Sequence, residues 1–238
     1  MSCPVCHGRD FAPLGDKNGY PVVKCRSCTH RFVDPMPSPH VIDEYYARYW
    51  INAKNVRNSA RKVRKLKRIL RRVLRKSAGK TFLDIGCNTG FGVEAARQLG
   101  YSATGIDLSG EAIGIARSLY PHNRFREGTA QDLAAEGGQF DAILCREVIE
   151  HMPEVHSFIA ALRALMKVGA VVWLTTPDAG HFRVPRDFPS WKEVIPPEHV
   201  SYFNLASLTR LLRGYDIEIL HKDLIWKPSL RVLARRIA

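Results

Sequence analysis

The stretch Thr81-Phe-Leu-Asp-Ile-Gly-Cys-Asn-Thr-Gly-Phe-Gly92 constrains this 238-residue chain more than any other. Phe82 to Ile85 is an apolar run interrupted by one acid, as in a short buried strand. Val93-Glu-Ala-Ala-Arg-Gln-Leu99 has helical spacing, so the glycines between the two form a strand-to-helix turn. Glycine suits a turn where a ligand approaches the backbone, because no Cβ stands in the way. A second apolar run, Ala103 to Ile106, ends in Asp107, 21 residues after Gly86. A carboxylate at the tip of the next strand is where the ribose hydroxyls of a nucleotide-like cofactor are held.

A dinucleotide fingerprint needs glycines at 86, 88 and 91, but these positions hold Gly86, Asn88 and Phe91. Asp84, directly before the glycines, would repel a pyrophosphate and suits the ammonium of an amino acid. S-adenosylmethionine (SAM) joins a nucleoside to an amino acid, carries a sulfonium and has no phosphate. On these residues the chain resembles the class I SAM-dependent methyltransferases, whose first motif reads L-D-[IV]-G-C-G-x-G; Asn88 departs from it. The resemblance implies an α/β, Rossmann-like, doubly wound and mostly parallel sheet. It also implies cofactor contacts from Asp84, Gly86, Cys87, Asn88, Gly90 and Phe91, then from Asp107 and Leu108. Thr129-Ala-Gln-Asp-Leu133 resembles the adenine-binding loop, with Gln131 and Asp132 in that role. Cys145 and Arg146 close the fourth strand beside the cofactor.

Composition, 45% hydrophobic and 25% charged, is that of a globular chain. No apolar stretch reaches the ~20 residues of a membrane span. Met-Ser-Cys-Pro is not a signal peptide, so a cytoplasmic setting with reduced thiols is expected. The net charge of +13 is local: Lys54 to Lys80 holds thirteen Lys and Arg and no acid, and the remaining 23 bases balance 23 acids.

Cys3-Pro-Val-Cys6 and Cys25-Arg-Ser-Cys28 are two C-x-x-C knuckles. Four such thiolates can close a tetrahedral zinc site with no position open to water, a structural site rather than a chemical one. Phe11, Leu14, Tyr20, Val22 and Val23 are expected to form the hairpin between the knuckles, and a module this small needs metal for stability. His7 and His30 beside the knuckles read as surface histidines. With Phe32-Val-Asp-Pro-Met-Pro-Ser-Pro39, the knuckles resemble a bacterial branch of these methyltransferases that carries an N-terminal zinc ribbon. The expected organisation is a ribbon (1–33), a linker and helical cap (34–80) and a SAM-binding domain (81–238).

Ser38 is placed as the cap of a helix containing Tyr45, Tyr46, Tyr49 and Trp50, whose tyrosines either line the substrate entrance or pack as core. Val56, Val63, Leu66, Leu70 and Val73 give the basic segment one apolar helical stripe. Three roles stay open for it: a solvated cover, an anchor on an anionic membrane surface, or a nucleic-acid contact. A peripheral position at the inner membrane surface accompanies the second.

Further on, Glu111–Leu119, Val155–Val168 and Leu205–Arg213 read as helices. Arg124–Gly128, Phe140–Cys145, Ala170–Thr176 and Asp216–Leu220 read as strands. The family's last strand is not evident, and Trp226, Leu230, Leu233 and Ile237 among Lys227, Arg231, Arg235 and Arg236 read as a basic amphipathic piece. Glu147-Val-Ile-Glu-His-Met-Pro153 matches the family's V-[LI]-E-H-[VM]-P stretch. Pro197-Glu-His-Val-Ser-Tyr-Phe203, after a long loop, resembles its P-x-H-x-x-[YF]-[FW] run. The candidate general bases are His199 first and His151 second, with Glu198 and Glu147 either orienting the base or binding substrate. Cys87 and Cys145 read as inert buried thiols.

The reaction implied is methyl transfer, most simply to a hydroxyl of a small molecule or a sugar or glycoconjugate, with an anionic head group compatible. RNA methylation, sugar C-methylation and a non-catalytic SAM-binding scaffold are the alternatives.

Overall fold

The computed structural model describes residues 2–38, 40–42 and 58–238. Tyr45, Tyr46, Tyr49, Trp50, Lys54, Val56 and Arg57 lie outside the described residues; Ser38 does accept from the amide of Val41, at 3.5 Å.

The expected N-terminal hairpin is β1 (Phe11–Lys17) and β2 (Tyr20–Cys25), followed by β3 (Arg31–Val33). Asn18 and Gly19 join the first two with φ of 52° and 81°. A two-residue hairpin turn needs positive φ at both positions, which this Asn-Gly pair tolerates. The sheet does not end with the ribbon. Its order is β1-β2-β3-β9, and β9 (Ser201–Tyr202) comes from far along the chain.

Helix α1 (Ser59–Leu74) buries Val63, Leu66, Leu70, Val73 and Leu74, the stripe that the spacing predicts. Its arginines and lysines cover the rest, and no acidic residue occupies its first turn.

The main sheet has the order β10-β11-β8-β7-β4-β5-β6. Strands β4 (Thr81–Ile85), β5 (Ser102–Asp107), β6 (Arg124–Glu127), β7 (Phe140–Arg146) and β8 (Met166–Pro177) run parallel. The strands β10 (Ile217–Lys222) and β11 (Ser229–Arg236) complete it antiparallel. Connecting helices are α2 (Phe91–Arg97), α3 (Gly110–Leu119), α4 (Ala130–Ala135), α5 (Val155–Leu165) and α6 (Leu205–Arg213). Side chains alternate across the pleat. Phe82, Ala142, Leu144, Val171 and Trp173 therefore meet α1, α2 and α3 on one face. Leu83, Ile85, Ile143, Val172 and Leu174 meet α4, α5, α6 and the ribbon on the other. The doubly wound, mostly parallel sheet is thus as expected, with ribbon and basic helix on opposite faces. Among the described residues no helix is long and apolar enough to cross a membrane.

Two expectations are corrected. The last strand is present: β11 inserts between β8 and β10, with Leu230, Val232 and Ala234 fully buried at alternate positions. Their period of two is obscured by Arg231, Arg235 and Arg236 on the same internal strand; Arg236 Nη1 donates to the carbonyl of Met166 at 2.6 Å. Helix α5 also stops at Leu165, and β8 begins at once at Met166 rather than at Ala170.

If residue 230 is a core strand position, Leu230→Ala should cost about 2–5 kcal/mol in urea unfolding. A surface amphipathic segment would lose under about 1 kcal/mol.

Candidate functional site

The crevice opens where β4 has β5 on one side and β7 on the other, the point at which open parallel sheets bind ligands. Gly86 has φ of 70° and Gly90 of 83°, and a Cβ on Gly86 would lie 2.6 Å from Val148 Cγ2. Asn88, the departure from the glycine motif, has φ of 47°. Asparagine is among the few non-glycine residues that tolerate this region, so the substitution leaves the turn intact. Its amide donates to Asp107 Oδ2 at 2.8 Å, while Asp107 Oδ1 accepts from Ser109 N at 2.9 Å. Asp107 thereby ties both loops of the crevice together.

Asp84 is buried against Gly92, where a Cβ would collide with its carboxylate. Burial pushes the carboxyl up to about 7; Arg146 pulls it down and Asp107 pushes it further up. A buried acid of this kind is a natural partner for a cation. Phe91 is half-buried, with the Lys62 ammonium 4.8 Å from its ring centre, and Leu108 is exposed. Asp132 is the N3 residue of a capping box: Oδ2 accepts from Thr129 N at 2.9 Å and from its hydroxyl at 2.6 Å. Gln131 reaches Ser157 at 3.4 Å. Cys87 and Cys145 are buried and their thiols pushed up, first by burial and then by neighbouring acids, as befits inert thiols.

Beyond β7 the chain turns through Glu147, with φ of 52°, into a 3-10 turn, Ile149–His151. His151 Nδ1 pairs with the carbonyl of Glu198 at 2.9 Å, and His199 Nδ1 with that of Glu193 at 2.8 Å. The two rings are 4.8 Å apart, near perpendicular. With Nδ1 of His199 donating to a carbonyl, its Nε2 carries the lone pair. Burial, with a smaller effect of His199, draws His151 down to about 4. Thr176 donates to Glu150 Oε2 at 2.9 Å, and burial followed by Glu147 keeps the Glu150 carboxyl well above the usual range. Thr175 donates to Glu147 Oε1 at 2.7 Å. The carbonyl of Glu193 orients His199, and Glu198 meets His151 through its backbone carbonyl. Backbone carbonyls leave no residue-type signal in a sequence. The threonine pair at the carboxyl end of β8 could have been suspected from position alone. Ligand atoms of Glu150, His151 and His199 lie within 4.8 Å of one another, a spacing that a divalent cation could also use.

Sγ atoms of Cys3, Cys6, Cys25 and Cys28 all lie within 4.8 Å of one another, with the Cys3–Cys28 and Cys6–Cys25 pairs at 3.5 Å. A tetrahedron with Zn–S bonds of about 2.3 Å has edges of about 3.8 Å, so the set fits zinc. The hydrogen bond between Cys3 and Cys28 draws the Cys3 thiol down and pushes the Cys28 thiol up. His7 is exposed and stacks on His156 at 4.8 Å. His30, expected on the surface, is fully buried between Phe32 and Phe203 because β3 continues into the sheet with β9.

Comparison with known proteins agrees with this geometry. A family profile described as a methyltransferase domain matches residues 56–222. The ubiquinone biosynthesis O-methyltransferase of Pseudomonas paraeruginosa is 41% identical over 104 residues, 42% of this chain and 45% of the relative. The chain thus spans under half the length of that relative. The PH0226 protein of Pyrococcus horikoshii superposes with a TM-score of 0.63 at 19% identity, covering 81% of this chain and 98% of the other. The 1,6-didemethyltoxoflavin-N1-methyltransferase of Burkholderia thailandensis does so at 0.61 and 16%, covering 95% and 99%. Fold and family profile define the class, a methyltransferase domain with the Rossmann-like fold. The chain belongs to this methyltransferase domain family.

Asp84 carries a testable cost. Its folded carboxyl keeps the proton up to about 7, whereas the unfolded one releases it near 3.8. Stability of the ligand-free protein should therefore fall as pH rises from about 4 to 7, by at most about 1.4 kcal/mol per pH unit, then level off. Asp84→Asn should lack this slope and be the more stable protein at pH 8 in urea unfolding.

Proposed function

We propose that the chain methylates a hydroxyl of a small molecule or of a sugar or glycoconjugate, with His199 as general base. The observation that carries this reading is the His199 ring, fixed through Nδ1 by the Glu193 carbonyl beside the crevice, with Nε2 as its basic nitrogen. His151 is the weaker candidate, since a base whose conjugate acid has a pKa of about 4 takes a hydroxyl proton poorly. A relative named as an O-methyltransferase supports oxygen as the acceptor atom.

SAM supplies a methyl group already activated by its sulfonium. Asp84 would hold its ammonium and Asp107 its ribose hydroxyls, with Gly86, Cys87, Asn88, Gly90 and Phe91 as the floor and Leu108, Gln131, Asp132, Cys145 and Arg146 as the remaining lining. His199 would take the proton of the acceptor hydroxyl at Nε2. Glu147 and Glu198 contact the acceptor or hold the histidine pair. Alignment supplies much of the rate, up to about 7–11 kcal/mol in favourable intramolecular cases.

Cys3, Cys6, Cys25 and Cys28 hold a structural zinc. RNA methylation is the second reading, favoured by the thirteen bases of Lys54–Lys80. The test is untargeted transfer from labelled SAM into small-molecule, lipid and RNA fractions. Label should enter a small-molecule or glycoconjugate hydroxyl, and His199→Ala should cut transfer by about 10²–10⁴-fold with SAM affinity retained. Label in RNA alone, or full activity of the variant, refutes the reading.

The exposed arginines of α1 give it a peripheral role at an anionic lipid surface. Charge clusters of this kind contribute about 1 kcal/mol per residue near such a membrane. The protein should sediment with phosphatidylglycerol vesicles and cease to do so when Arg64, Arg68 and Arg71 become glutamate.

A further inference from the structure

We propose that the cysteine ribbon is the positioning device for the acceptor side of the site: the metal at its thiolates fixes the loop bearing His199 and leaves the cofactor crevice untouched. This inference rests on the zinc and SAM readings above and adds what the metal is for.

The path is short. Cys25 N donates to the carbonyl of His30 at 2.8 Å, closing the second knuckle directly before β3. Strand β3 then pairs with β9, Arg31 opposite Tyr202 and Phe32 opposite Ser201, and Val33 N donates to the carbonyl of Val200 at 3.0 Å. Val200 is the residue after His199. On the other side of the same histidine, Asn18 Nδ2 at the hairpin tip donates to the carbonyl of Pro196 at 2.9 Å. Arg31 reaches further back, donating from Nη1 to the carbonyl of Ala179 at 2.6 Å with its guanidinium 4.4 Å from the centre of the Phe188 ring. Asn204, just beyond β9, donates to Thr29 O at 3.2 Å and to its hydroxyl at 2.9 Å.

Packing adds to these bonds, apart from the large core in which Cys3, Val5 and Phe32 share a cluster with Leu83 and Ile85. A separate buried cluster joins Val22 and Val33 of the ribbon to Ala179, Phe188, Trp191 and Val194 of the loop, with Tyr202 between them. The Tyr202 hydroxyl donates to the carbonyl of His199 at 2.8 Å. Residues 178–200 contain little regular structure, and a long loop of that kind is held only by what it packs against. Here the ribbon is one such partner, beside the turn after β7 that meets Glu198 and Val200; it is too small to carry a core of its own and takes its order from metal. The crevice is braced differently. Asp107, Asn88, Ser109 and the Ile106 carbonyl bond among themselves, and among the described residues no hydrogen bond joins 2–33 to 81–107. Loss of metal therefore loosens acceptor positioning while SAM binding persists.

The experiment uses the full chain. Metal content is measured by elemental analysis, and zinc is then released with an organomercurial under a colorimetric zinc indicator. Hydrogen exchange is followed by mass spectrometry in peptides from 179–203 and 82–107, with SAM affinity by calorimetry. The variant Asn18→Ala/Arg31→Ala keeps all four cysteines, so the loop can be freed without disturbing the thiolates. We expect about one zinc per chain in both proteins. In the variant, exchange across 191–203 should accelerate about tenfold or more, since two part-buried hydrogen bonds between ribbon and loop are lost. Its 82–107 peptides and SAM affinity should stay within about twofold, and the ring N–H signal of His199 in ¹⁵N-histidine spectra should shift or broaden. Zinc release should reproduce the same regional pattern. Unchanged exchange across 191–203 in both arms overturns the proposal, as does equal acceleration in 82–107. Absence of zinc from the purified protein refutes the metal reading alone, and absence of SAM binding refutes the cofactor reading alone.

Discussion

Strand β4 is hydrogen-bonded on both sides, to β5 and to β7, and the chain leaves its carboxyl end through residues that bear positive φ. Much of the molecule follows from that arrangement. A strand flanked in parallel on both edges is buried on both faces, so Asp84 near its end is buried with it. Helix α2 packs close because Gly92 presents no side chain to that carboxyl. The neighbouring helices depart to opposite faces, which leaves the crevice between β4, β5 and β7 open at the carboxyl ends. An acid held there at a cost to the empty protein gains most from a cation, and a sulfonium amino acid brings an ammonium to it.

The second half of the site is built by different means. Glu150, His151 and His199 meet because Val200 N donates to the carbonyl of Glu150 at 3.0 Å, joining the turn after β7 to the late loop. Backbone carbonyls, rather than acidic side chains, set the tilt of both imidazoles. Burial favours the neutral ring of His151, and a carbonyl partner fixes its orientation with a smaller pull on the proton than a carboxylate would exert. The ribbon strand β3 pairs with β9 directly after the same loop, so residues from the N-terminal ribbon and the late loop share one small sheet.

Helix α1 illustrates how charge and packing are kept apart. Its five buried aliphatic side chains cover Phe82, Leu144 and Trp173 from one face of the main sheet, while the ribbon lies on the other. Lys67 Nζ donates to Gln98 Oε1 at 3.1 Å, and Glu94 is held by Arg97, Gln98 and Asn123. The remaining arginines point to solvent from a helix that lacks acids of its own.

The sequence by itself determined the strand-turn-helix at 81–99, the acid at the tip of the next strand, the paired knuckles and the stripe of α1. Each rests on neighbours along the chain: a period of two or of 3.6, a glycine where positive φ is needed, or a ligand spacing. Asn88 shows the reach of such rules, since its φ of 47° explains a departure that composition alone left unexplained. Only the tertiary structure decided the rest. Strand β11 is a core strand because β8 and β10 supply ladders on both its edges, and arginines that read as an amphipathic face lie along its ends. His30 is buried because β9, some 170 residues later, extends the ribbon sheet over it. His199 owes its orientation to a carbonyl and its place to a strand pairing, and neither is encoded in residue type. Contacts of that kind are made by the backbone across long separations, so they come into being only when the chain is folded.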